Sequence, residues 1–317
     1  PAMPSYATIL GCMLPVFGVM LLGALLRRTG ALSEESDRSI LRMVVNVFTP
    51  CLIFTKIIDS PDASSGRMLW LAPLCGFLAI ALGIFLCWLA APLFGLSNPP
   101  RRRVFAFTNG MYNYGYIPIP IVLSLFDGGT LGVLFLVNVG VELALWTFGP
   151  ILLAADGAKG AWKNILNAPL YAILAGVAVS LAGAVHHVPP PLLKGLHMLG
   201  ECAVPVALLM IGAVTLDFLD PRMSWKGSGT IAGAVLLRLG VLPLVLIGLA
   251  GFLHGDEMLQ RVLVVQAAMP AAAFPIVLVR RNGGDVPTAL RVLLATSCAS
   301  LLVSPFWISR GLEWIAK

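Results

Sequence analysis

Two asparagines and two prolines share one apolar stretch, Thr108-Asn109-Gly110-Met111-Tyr112-Asn113-Tyr114-Gly115-Tyr116-Ile117-Pro118-Ile119-Pro120. Proline has no N–H to donate, and its ring clashes with the turn before it, so a helix here opens between about Tyr114 and Pro120. A second stretch, Gln266-Ala267-Ala268-Met269-Pro270-Ala271-Ala272-Ala273-Phe274-Pro275, has the same ingredients. An opened helix offers a particular chemistry. Its new N-terminal end carries about half a positive elementary charge and free N–H groups, which favour an anion such as a carboxylate. The carbonyls freed at the opposite end suit a cation. Asn109, Asn113 and Gln266 add neutral donors and acceptors, while Tyr112, Tyr114, Tyr116 and Phe274 supply walls for an apolar or planar group.

Two ionisable residues lie deep in apolar segments, Glu142 and Arg238. A charge inside a membrane is costly and marks function or a structural pair. Glu142 is a candidate proton carrier and Arg238 a candidate attractor of anions; pairing with each other is the structural alternative. Asn46, in Asn46-Val47-Phe48-Thr49-Pro50, is the one polar group to test beside the second proline-containing span.

The elements that position these residues follow from hydropathy. Of 317 residues, 58% are hydrophobic and 11% charged, with a mean hydropathy of +0.92; soluble domains average about 25% charged. The chain therefore reads as an all-α polytopic membrane protein. Apolar runs near the roughly 20 residues a span needs occur at about 6–27, 38–58, 68–94, 101–126, 130–155, 164–186, 194–216, 226–253, 258–281 and 286–310. Landmarks recur at one offset: Pro120 and Pro275 are 155 residues apart (275 − 120), as are Pro50 and Pro205, Trp70 and Trp225, and Gly128-Gly129 and Gly283-Gly284. This predicts two copies of a five-helix unit, residues 1–155 and 156–317, with helices 4 and 9 broken. An odd number of spans per copy inverts the second relative to the first.

Lys and Arg crowd the loops after odd-numbered spans, fourteen against six on the other side. The positive-inside rule then places those loops in the cytoplasm and both termini outside. The pI near 9.2 comes from basic residues spread over short loops, so it does not point to nucleic acid. The six cysteines all fall in apolar segments without Cys/His spacing, so neither a metal site nor a disulfide framework is expected. No Ser/His, Cys/His or paired-Asp arrangement lies inside the spans, which argues against an intramembrane enzyme.

The motifs Asn46-x-x-x-Pro50-x-Leu52-x-Phe54, Asn113-Tyr114-Gly115-x-Ile117-x-Ile119-Pro120, Pro205-x-Ala207-x-x-x-Ile211-Gly212, Ala268-Met269-Pro270-Ala271-Ala272 and Asn282-Gly283-Gly284-Asp285 resemble, in order and spacing, the auxin efflux carrier family, in its compact bacterial form. The resemblance implies a fold similar to that of bile acid/sodium symporters. Spans 1, 2, 6 and 7 would form a scaffold and homodimer surface, and spans 3–5 and 8–10 a transport domain that moves as an elevator. It implies an organic anion, auxin-like or malate/malonate-like, bound at the crossover between Tyr114–Pro120 and Pro270–Pro275 against the scaffold; the candidate binding residues are Asn113, Tyr114, Gly115, Tyr116, Pro118, Pro120, Gln266, Met269, Pro270, Ala271, Phe274 and Asn46. No cofactor is implied; coupling to H+ or Na+ stays open. The alternative is a sodium-coupled symporter of a larger amphipathic anion such as a bile acid, its cation held by freed carbonyls with Gln266, Asn109 and Glu142. The expected setting is the bacterial inner membrane.

Overall fold

The computed structural model describes residues 4–59, 66–153, 167–217, 228–253 and 255–316. Among these, regular structure is helical apart from one isolated antiparallel backbone bridge, Tyr112 with Ala271. Trp225, the 155/156 boundary, and Lys159, Lys163, Arg222, Lys226 and Lys317 of the charge comparison lie outside the described residues.

Among the described residues, seven helices are long and apolar enough to cross a membrane: α1 (Tyr6–Arg28), α2 (Glu34–Ile58), α3 (Gly66–Phe94), α6 (Gly128–Leu153), α8 (Pro190–Asp217), α9 (Gly229–Ala250) and α12 (Val286–Ile315). A shorter apolar helix, α7, covers Ala168–Leu181. Four pieces are too short to span alone: α4 (Pro99–Gly110), α5 (Pro118–Leu125), α10 (Glu257–Ala267) and α11 (Phe274–Arg281). They come in two consecutive pairs, and the gaps between them are the two proline-rich stretches.

The sequence places the first opening at 114–120; it lies at 111–117, three residues earlier, and the second lies at 268–273 rather than 270–275. The displacement follows from how proline acts. Pro118 and Pro120 sit in the first turn of α5, and Pro275 in the first turn of α11, where no intrahelical donor is needed. The turn that loses hydrogen bonds is the one before.

Proline perturbs other helices in the same way. The segment Val44–Phe48 ahead of Pro50 widens to π geometry, and so does Leu237–Val241 ahead of Pro243. Pro243 cannot donate to the Leu239 carbonyl, which instead accepts the indole N–H of Trp307 at 2.6 Å. α8 is interrupted at Cys202, three residues before Pro205.

Helix starts after each broken pair are capped alike. Asp127 accepts the Thr130 N–H and hydroxyl, both at 2.9 Å, at the head of α6. Asp285 accepts the same two groups of Thr288 at the head of α12. The Thr130 N–H, aided by its hydroxyl, holds the Asp127 carboxyl below its ordinary range against a smaller opposing desolvation.

Close backbone approach sets the packing. α1 packs on α8, α2 on α7 and α8, and α3 on α4 and α6, while α9 packs on α10 and α12. Gly140 on α6 lies against the Pro73 carbonyl of α3, and Gly76 of α3 against the Val137 carbonyl of α6, so neither position has room for a Cβ. Gly110, the last residue of α4, meets the backbone of Ile84 on α3; an added Cβ would lie 2.5 Å from the Ile84 nitrogen. Small residues here let backbones touch where lipid provides no hydrophobic drive between helices. Gly110→Ala is expected to destabilise by about 1–3 kcal/mol, as overpacking does. A thermal unfolding midpoint unchanged from wild type would refute the contact.

Candidate functional site

The groups freed by the two breaks can be followed one by one, because few can stay unpaired in hydrocarbon. The Asn113 N–H donates to the Pro270 carbonyl at 2.7 Å, and the Ala272 N–H to the Met111 carbonyl at 2.9 Å. The two opened segments thus run antiparallel and satisfy each other across the crossing, an arrangement legible from neither stretch alone.

Side chains on neighbouring helices take up further groups. Pro118 has no N–H for the Tyr114 carbonyl, which accepts from the Asn138 amide on α6 at 2.8 Å. The same Asn138 accepts from the Gln266 amide at 2.7 Å, and the Tyr112 hydroxyl donates to Gln266 Oε1 at 3.0 Å. On the other side, α12 supplies two hydroxyls: Thr296 Oγ1 accepts the Ala271 N–H at 3.1 Å, and Ser304 donates to the Ala268 carbonyl at 2.6 Å.

The crossing has a sealed face and an open face. Tyr112, Asn109, Gln266, Met269, Ala271 and Arg238 are buried, each no more than 1% exposed; Pro118 and Pro270 are buried with them. Asn113, Tyr114, Gly115, Tyr116 and Pro120 are partly exposed, and Phe274 is exposed. Asn113 Oδ1 accepts the Gly115 N–H at 3.3 Å, a turn that leaves the amide NH2 available as a donor on this partly exposed residue. The Tyr114 hydroxyl donates to Glu142 Oε1 at 2.7 Å, and the Trp146 indole donates to Oε2 at 3.1 Å. Trp146 in turn meets the Phe274 ring edge to face, with centroids 6.0 Å apart. The Tyr116 hydroxyl shares a hydrogen bond with Thr49 Oγ1 of α2 at 3.1 Å, a polar link from the crossing to α2.

Several expected residues therefore converge, and others do not. Glu142 and Arg238 form no pair: Glu142 is held by Tyr114 and Trp146, while Arg238 Nη2 donates to the Ala267 carbonyl at 2.8 Å. Asn46 is exposed and its amide bonds the Arg42 carbonyl one turn back at 3.0 Å, so it closes on its own helix. Asn109 directs its amide to Cys87 Sγ at 3.4 Å on the sealed face, away from Asn113. Asn138, Thr296, Ser304, Trp146 and Thr49 were not singled out by sequence. Asn138 carried a readable signal, as an amide in the middle of an apolar span.

A family profile described as "Membrane transport protein" matches residues 8–162 and again 157–308. The chain belongs to this family, the auxin efflux carriers. An archaeal relative, an "Uncharacterized transporter" of Methanothermobacter thermautotrophicus, is 28% identical over 297 residues, spanning 93% of this chain and 95% of its own length. The family member described here is accordingly an integral membrane transporter.

Asn138 and Gln266 form the bridge between the two breaks, so their substitutions are expected to be non-additive. Asn138→Ala strands the Tyr114 carbonyl and the Gln266 amide and should cost about 1–3 kcal/mol. In a double-mutant cycle with Gln266→Ala, a coupling of about 0.5–3 kcal/mol is expected. Additive unfolding free energies would dissolve the bridge.

Proposed function

We propose that this transporter is a secondary carrier of a small organic carboxylate, auxin-like or malate/malonate-like, working by alternating access. In this reading the helices form ten spans in two inverted five-helix repeats, with α4/α5 and α10/α11 as the broken fourth and ninth. The antiparallel pairing of Asn113 with Pro270 and Ala272 with Met111 is the observation that carries it. The pairing sets two half-helix N-terminal ends, α5 and α11, beside one opening.

Pro118, Pro120 and Pro275 remove backbone donors from those ends. The half-helix dipoles therefore supply positive potential, and the Asn113 amide supplies the directed hydrogen bond. Tyr114, Tyr116, Trp146 and Phe274 bound the apolar part of the substrate. Glu142 lies one hydroxyl away from the opening, placed to take up a proton as the anion binds.

The packing supports an elevator. α1, α2, α7 and α8 associate with one another, and the crossing belongs to the other group of helices. Sliding of that group must break the Tyr116–Thr49 hydrogen bond. On this reading the first group is also the homodimer surface, and both termini lie outside the cytoplasm of a bacterial inner membrane.

The test is uptake into proteoliposomes of labelled dicarboxylates and aryl acetic acids. Wild type is expected to move at least one of them, and Asn113→Ala to lower its rate about tenfold or more, the loss of a charge-assisted hydrogen bond of roughly 1.5–3 kcal/mol, with its unfolding midpoint unchanged. If no acid moves, or if Asn113→Ala transports normally, the carboxylate reading fails.

A further inference from the structure

We infer that Arg238 is a resident cation of the crossing, its guanidinium standing where a coupled metal ion would be held, so that the carrier works without an alkali cation. The inference rests on the crossing being the carrier's site but concerns a different face of it.

The break after α10 leaves carbonyls at a half-helix C-terminal end, the negative pole of that dipole and a natural set of ligands for a cation. Ala267 is the last residue of α10, and its carbonyl is the one that Arg238 Nη2 reaches at 2.8 Å. The next carbonyl, that of Ala268, is taken by Ser304. The cation position at this end is thus filled by the protein's own donors.

The guanidinium is also committed to that place. It is fully buried, and its carbon lies 5.5 Å from the centroid of the Tyr112 ring, within reach of a cation–π contact. It forms no ion pair with a carboxylate among the described residues, and its Nε and Nη1 have no hydrogen-bond partner there. Glu142, the one acidic side chain at the crossing among the described residues, is engaged by Tyr114 and Trp146. The charge is therefore balanced by backbone and ring dipoles, and a net positive charge stays on the sealed face. A sodium ion on the same carbonyls would face a like charge at close range in a low dielectric. The π segment Leu237–Val241, imposed by Pro243, builds this residue into α9 as a fixed part of the wall.

The full chain in nanodiscs, at constant ionic strength in choline chloride, tests this through its thermal unfolding midpoint. Sodium, lithium, potassium or methylguanidinium chloride replaces choline in turn. Wild type is expected to stay within about 1 °C across the alkali cations. Arg238→Ala is expected to unfold at lower temperature and to regain about 3 °C or more, saturably, with millimolar methylguanidinium, since a ligand bound only by the folded state raises the midpoint. A saturable sodium, lithium or potassium response in wild type overturns the proposal. So does an Arg238→Ala protein that responds to no cation. Should Arg238→Ala not fold, Arg238→Lys keeps a positive charge and should ignore sodium; a saturable sodium response in it overturns the proposal equally. None of these readings involves a substrate, so they stand or fall apart from the carboxylate assay.

Discussion

A backbone carbonyl or N–H released inside a hydrocarbon layer must find a protein partner or face water, and the structure depends on how that requirement is met. Pro118, Pro120, Pro270 and Pro275 release such groups in two stretches. The two breaks are joined by two backbone hydrogen bonds, and α6 and α12 satisfy three more freed groups with Asn138, Thr296 and Ser304. Neither opened stretch could be tolerated alone at that depth. The two breaks are a single structural unit.

From that mutual satisfaction comes the asymmetry between the two faces. Where carbonyls gather at the end of α10, the chain supplies Arg238 and Ser304 and closes the surface. Toward Tyr114 and Phe274 the surface stays partly open, with one amide, one carboxyl and four rings around it. In the proposed function the field of the half-helices would favour an anionic substrate over a cationic one, and the rings would sort anions by shape. The hydrogen bond from Tyr116 to Thr49 is one of the places where the two groups of helices meet, beside the packing of α1 on α5 and α12 and of α2 on α6, and in the proposed elevator it would have to break.

Much of this was legible in the sequence, for identifiable reasons. Proline and apolar length alone announce two interrupted helices, and the 155-residue offset matches them to each other. Arg238 and Glu142 announced themselves as charges at depth. The register of the openings was not legible to better than three residues, because proline empties the turn before it rather than its own. The fate of the freed groups was hidden for a different reason: their partners lie 24 to 36 residues away on other helices, as Asn138, Thr296 and Ser304 do. Asn46 looked like a site residue and is not placed as one, since an amide on a helix can always turn back to the carbonyl four residues earlier. The Glu142–Arg238 pairing does not form because each charge meets other partners, Tyr114 and Trp146 for Glu142 and the Ala267 carbonyl for Arg238.

The central claim is that the two breaks cross, pair through their backbones and jointly face an anion. A cryo-EM map of the carrier in lipid, with a transported carboxylate at saturating concentration, tests it most directly. The account predicts non-helical density at 111–117 and 268–273, with the Asn113 amide against the carboxylate and the Met111–Ala272 and Asn113–Pro270 backbone contacts intact. Continuous helix through either stretch, or the acid bound away from Asn113, would contradict it.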